Sequence, residues 1–171
     1  MSEFFPTDGR GLPAPLRSTK YTGREIGPIV YFSNEQHLGV SAYDMEESGT
    51  LKLRQVCDAV DKDEPQEGGS SSDIVITPDG RFLFAGIRGH KRNFDWISRY
   101  GVDSNGDVEL LGLTPADKIL WGLALSPSGR YLLATAYEGA TLTAFWIGDD
   151  GTFTKVASLP WDKNISDLVA R

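Results

Sequence analysis

The densest run of reactive side chains is Arg88-Gly89-His90-Lys91-Arg92, three cations and a histidine in a chain whose formal charge is -7. Such a run either grips a phosphate or carboxylate, with charge-assisted hydrogen bonds worth about 1.5–3 kcal/mol each, or is an ordinary solvated loop. His90, with an ordinary pKa of about 6.5, suits proton transfer near neutrality or else stands exposed without a role. Asp73 sits just before an apolar run, where a carboxylate activates water or closes an Asx-turn on the backbone. Asn34-Glu35 and Tyr137-Glu138 offer polar groups to sugar hydroxyls. Trp121 and Trp161 offer flat faces that stack on a sugar ring or pack between neighbouring layers of structure.

Other chemistries find no support. There is no Gly-x-Ser-x-Gly elbow and no phosphate-binding glycine loop. His37 and His90 have no cysteine cluster or His-x-x-x-His spacing to join, so neither a metal nor another cofactor is expected. Cys57 is the sole cysteine, which excludes an intrachain disulfide and reads as a half-buried strand thiol. The acidic balance argues against a nucleic-acid partner, whose phosphates need Lys and Arg. Met1-Ser2-Glu3-Phe4-Phe5-Pro6 has no basic and apolar leader pattern, and no stretch is long and apolar enough to span a bilayer. The expectation is a cytoplasmic protein away from membranes.

The elements that position these residues come from an internal repeat. Asp73-Ile74-Val75-Ile76-Thr77-Pro78-Asp79-Gly80-Arg81-Phe82-Leu83-Phe84-Ala85 aligns without gaps on Gly122-Leu123-Ala124-Leu125-Ser126-Pro127-Ser128-Gly129-Arg130-Tyr131-Leu132-Leu133-Ala134, at an offset of 49 residues. Each copy is an apolar strand, a turn in which Pro presets φ and Gly accepts φ > 0, and a second apolar strand. Alternating segments follow as third strands, Ile97–Val102 and Leu142–Ile147, and then outer strands opening at Val108 and Phe153. An earlier copy supplies strands at Gly27–Phe32, Gly39–Asp44 and Gly49–Arg54. Its first strand is degenerate: the candidate, Leu12–Arg17, carries two prolines that cannot donate to a ladder.

Four short strands per unit of about 45 residues is the period of a propeller blade. The predicted fold is therefore all-β: about three four-stranded antiparallel β-propeller blades, an incomplete propeller. Residues 1–24 form an N-terminal segment, 25–60 a blade, 61–72 an acidic then Gly/Ser-rich loop, 73–115 a blade, and 116–171 a blade plus a C-terminal strand able to fasten another blade. The loop is expected to be mobile, as a spacer or a lid. In a blade the start of strand one and the end of strand two share one face. Asp73, Asn34, Glu35, Arg88, Glu138 and Trp121 therefore fall on a common rim.

These segments, with Tyr31-Phe32-Ser33-Asn34-Glu35, resemble the last three blades of the seven-bladed lactonase family, over most of residues 25–160. The resemblance implies making or opening a lactone ring at the channel rim, without a required metal. Asp73 matches the family's acidic position, Arg88 its arginine after the second strand, and Asn34-Glu35 its Asn-Glu pair. The resemblance thus implies Asp73 and Arg88 as catalytic residues with Asn34 and Glu35 binding substrate, and the chemistry and blade positions of His90, Lys91, Trp121 and Glu138 add these four to the expected substrate-binding set. Two family histidines are absent: one position holds Val75, and the other falls near Leu12–Pro15.

Three blades leave two apolar flanks uncovered, and exposed sheet faces invite association. The expected partners are a small-molecule lactone or sugar acid together with a homo-oligomer or a complementary propeller half. Two functions stand open: a lactone hydrolase once the ring is closed, and a non-catalytic propeller module that binds a ligand or protein at the rim.

Overall fold

In a computed structural model of the chain, residues 18–22, 27–35, 37–60, 68–89, 95–165 and 168–170 are described. They form twelve strands: β1 (Ser18–Thr22), β2 (Pro28–Asn34), β3 (Gly39–Met45), β4 (Leu51–Asp58), β5 (Ser70–Ile76), β6 (Phe82–Arg88), β7 (Trp96–Val102), β8 (Val108–Pro115), β9 (Leu120–Leu125), β10 (Tyr131–Ala136), β11 (Thr141–Ile147) and β12 (Phe153–Pro160). Consecutive strands pair antiparallel into three four-stranded sheets, β1 to β4, β5 to β8 and β9 to β12. The fold is all-β, three blades of an incomplete propeller.

The repeated turns take the expected form. Gly80 and Gly129 adopt φ of 72° and 69°, and their amides donate to the carbonyls of Thr77 and Ser126, both at 2.8 Å. Only glycine enters that left-handed region without strain.

Burial shows how the blades stack. β2 alternates half-buried and buried residues, whereas every residue of β6 after Phe82 is buried. A strand covered on one face alternates, and one sandwiched between two blades does not. Ile29, Tyr31, Val40 and Ala42 of the first blade meet Ile74, Leu83, Ala85, Tyr100 and Val108 of the second in one core. On the other face of the second blade, Phe84 and Ile97 meet Leu120, Leu123, Leu132, Ala134 and Phe145 of the third. Polar ties reinforce the first seam: the Tyr31 hydroxyl donates to the Gly106 carbonyl at 2.7 Å, and the Arg54 guanidinium spans Asp44 and Asp107, at 2.8 Å each.

Three details depart from the sequence reading. The first strand of the first blade is Ser18–Thr22, free of proline and paired along its length with β2; Leu12–Arg17 lies outside the described residues. Ser70–Ser72, assigned above to the loop, belong to β5. Composition misjudged them because small serines can be buried when hydrogen-bonded: the Ser71 amide donates to the Glu35 carbonyl at 3.1 Å, and Ser71 Oγ accepts from the Gly39 amide at 3.3 Å. At the C-terminus, residues 164–165 and 168–170 form no strand, so the fastening strand is not found among the described residues. Cys57 is half-buried on β4, as expected.

Candidate functional site

Each blade sends one side chain to the same rim. Glu35 follows the last residue of β2, Arg88 ends β6, and Trp121 is the second residue of β9. The Arg88 Nη2 donates to Glu35 Oε1 and to the Ser71 carbonyl, both at 3.0 Å. Its guanidinium carbon lies 4.5 Å from the centroid of the Trp121 ring, within cation–π range. Trp121 in turn contacts Tyr137, with centroids 5.5 Å apart.

The Arg88 side chain is 7% exposed and that of Glu35 22%. Burial pulls the Arg88 pKa down, and the charge of Glu35 opposes that pull. A buried cation persists only with such compensation. Asp95, buried beside this cluster, adds negative potential, and its Oδ1 accepts the amides of Gly89 at 3.3 Å and Leu120 at 3.1 Å.

Backbone strain lies next to the same spot. Ile119, buried and β-branched, has φ of 58°, and its carbonyl accepts the Tyr137 amide at 2.8 Å. A β-branched residue there is an outlier, of the kind that concentrates at functional sites.

The remaining candidates divide. Asp73 is buried, and both carboxylate oxygens are engaged: Oδ1 accepts the Ile74 amide at 2.9 Å and Oδ2 the Leu123 amide at 3.0 Å. It is therefore a tie between blades, and it stands fourth in β5, inside the strand rather than at the entrance expected from the sequence, because Ser70–Ser72 extend the strand ahead of it. Asn34 exchanges hydrogen bonds with the Ser41 hydroxyl at 2.8 and 3.1 Å, within its own sheet. Glu138 pairs with Lys118 at 2.6 Å, both well exposed. Trp161 is 53% exposed rather than packed between blades. His90, Lys91 and Arg92 lie outside the described residues. Among the described residues no His, Cys, Asp and Glu cluster fits a metal, and no helix is long and apolar enough to cross a membrane.

Sequence reasoning missed Ser71, Asp95 and Lys118. An aspartate directly before the third strand, as Asp95 stands before β7, was the available signal for the second of these.

Stacked four-stranded blades with a charged, aromatic rim define an open β-propeller arc. The chain belongs to the family described as "Lactonase, 7-bladed beta-propeller", which matches residues 17–159. It is 38% identical over 109 residues to the 6-phosphogluconolactonase of Formosa agariphila, covering 63% of this chain and 30% of that one. To the 6-phosphogluconolactonase of Erwinia tasmaniensis it is 25% identical over 123 residues, covering 72% and 34% respectively. The periplasmic gluconolactonase of Pseudomonas aeruginosa superposes with a TM-score of 0.76 at 21% identity, over 91% of this chain and 43% of that one. The chain thus spans about a third of the length of the curated relatives it matches.

Proposed function

We propose that this chain forms part of a lactone hydrolase acting on a sugar-derived or carboxylated lactone, and that Arg88, Glu35 and Trp121 carry the site. The supporting observation is a buried guanidinium tied to a carboxylate and an aromatic ring drawn from three different blades. Arg88 supplies fixed positive charge toward an anionic substrate group and the developing oxyanion. Trp121 with Tyr137 forms a wall for the sugar ring.

Glu35 is better placed than Asp73 to take a proton, because Asp73 already accepts two backbone amides while Glu35 is the more exposed. In the step proposed, a water oxygen bonds to the lactone carbonyl carbon and its proton passes to Glu35. The tetrahedral adduct then collapses, the ring C–O bond breaks, and the departing alkoxide takes the proton back to give the hydroxy acid. The family's histidine position holds Val75, packed against the core between the second and third blades, so no proton passes there.

The proposal includes a completed ring, supplied by a second copy or a complementary propeller half, and a cytoplasmic setting. Titration of acid released from gluconolactone and from its 6-phosphorylated form tests it. Turnover of either supports the reading. Saturable binding of the product acid without turnover would instead favour a non-catalytic binding module.

A further inference from the structure

Each seam seats a side chain of one blade on the glycine turn of the next, Tyr31 on the turn at Gly106 and Arg81 with Phe82 on the turn at Asp149 and Gly151. Among the described residues no further blade covers the corresponding face of the third. Where the second blade meets the third, the Arg81 Nη2 donates to the Asp149 carbonyl in the turn between β11 and β12, and the Phe82 ring lies against Gly151 of that turn. Where the first meets the second, the Tyr31 hydroxyl donates to the Gly106 carbonyl in the turn between β7 and β8. The receiving turns are equivalent: the amides of Gly106 and Gly151 donate back to Asp103 and Gly148, with φ of 80° and 77°.

The first blade carries the same turn between β3 and β4. Gly49 donates to the Glu46 carbonyl at 2.9 Å with φ of 83°, which sets Glu47 at the place of Asp149 and Gly49 at that of Gly151. Gly106 and Gly151 are buried by the preceding blade, whereas Gly49 is exposed, with no described atom within 4 Å of the position a Cβ would take.

The third blade carries the matching donors. Arg130 and Tyr131 repeat Arg81 and Phe82: the Arg130 carbonyl accepts the Ile147 amide at 2.9 Å just as the Arg81 carbonyl accepts that of Val102. Tyr131 pairs with Trp146 on the face turned away from the second blade, and each is 42% exposed. Leu133, on that face, is half-buried, while its equivalents Tyr31 and Phe84 are 0% exposed. On the outer face of the first blade Val30 and Phe32 are half-buried, where their equivalents Leu83 and Ala85 are 0% exposed.

We infer that the Arg130, Tyr131 and Trp146 face of the third blade docks the first blade of a second copy of this chain, with Arg130 latched onto the acidic turn Glu46-Glu47-Ser48-Gly49. The charges are complementary, and the geometry of the turn is already used twice within the chain. The contact is head-to-tail, and two copies joined at both ends close a ring of six blades, one fewer than the family's seven and within the range of about four to eight that propellers adopt.

The test is the solution mass of the purified chain and of two single variants, Arg130→Glu and Glu47→Arg, by light scattering across a concentration series. Both sites are exposed, so folding is checked by an unchanged far-ultraviolet circular-dichroism spectrum. The wild type should run at about twice 18.7 kDa, and each variant should dissociate at least about tenfold more readily. Mixing the two variants should restore the dimer, because one interface then carries the swapped pair and the other the native pair. A wild type that stays monomeric up to its solubility limit would overturn the proposal, as would a dimer indifferent to Arg130→Glu. So would two monomeric variants that fail to associate when mixed, a result that would leave a blade of a longer parent chain as the occupant.

Discussion

Asp73 and Leu123 lie on adjacent blades, and the carboxylate of the first accepts the amide proton of the second at 3.0 Å while its other oxygen holds the amide of Ile74 at 2.9 Å. One buried side chain thereby satisfies backbone donors on two sheets. An acid inside an inner strand thereby ties the second blade to the third.

Asp73→Ala should leave both amides without that acceptor in a buried seam. Unpaired buried donors cost about 1–3 kcal/mol, so urea unfolding should show a lower midpoint with a loss of that order. Asp73→Asn, which keeps one carbonyl acceptor, should lose less.

Gly39 opens β3 just beyond Glu35, and a Cβ there would stand 2.5 Å from the Cys57 carbonyl oxygen on β4. Backbone cannot turn aside as a side chain can. Gly39→Ala should therefore destabilise by about 1–3 kcal/mol, the usual penalty for overpacking, measured by thermal or denaturant unfolding.

Cys57 has its pKa raised, chiefly by burial, with the charges of Asp58 and Glu109 adding to the rise and a backbone hydrogen bond from Leu110 opposing it. The folded thiol keeps its proton where the unfolded one, at about 8.5, has begun to lose it. Stability from this group is full below that pH and falls as pH rises through the folded value. Alkylation of the native protein near neutrality should be much slower than in denaturant; equal rates would contradict the burial.

Asp117 accepts hydrogen bonds from the Thr141 and Thr143 hydroxyls at 2.8 and 2.7 Å. Burial raises its pKa, but those hydroxyls and the charge of Lys155 bring the net value below the ordinary one. A depressed carboxylate stabilises the fold above its unfolded pKa, about 3.9, and that contribution disappears as pH falls through the folded value. Asp117→Asn should lower stability near neutrality, where that contribution is full, and flatten the acid limb of the stability–pH curve, the two proteins converging at low pH.

The blades were legible because the hairpin turns are local. Pro78 with Gly80 and Pro127 with Gly129 mark their turns within a few residues, and period-two burial on β2 follows directly from alternating side chains. The rim was legible as a set of strand ends, which is why Glu35, Arg88 and Trp121 were named together. Their contacts were not: Arg88 meets Glu35 across 53 residues and Asp73 meets Leu123 across 50. Pairings between blades depend on how sheets stack, and stacking leaves no periodic trace in the chain. Ser71 was misjudged for the same cause, since its hydrogen bonds go to Glu35 and Gly39 of the neighbouring blade.

The catalytic reading is tested most directly by comparing kcat/KM for lactone hydrolysis between the wild-type chain and Glu35→Gln, a substitution that keeps an acceptor for Arg88 while removing the base. A loss of about 10²–10⁴, the usual range for removing a general base, in a variant that keeps the wild-type circular-dichroism spectrum at the assay temperature, is the predicted result. Undiminished turnover by a folded Glu35→Gln variant would contradict it.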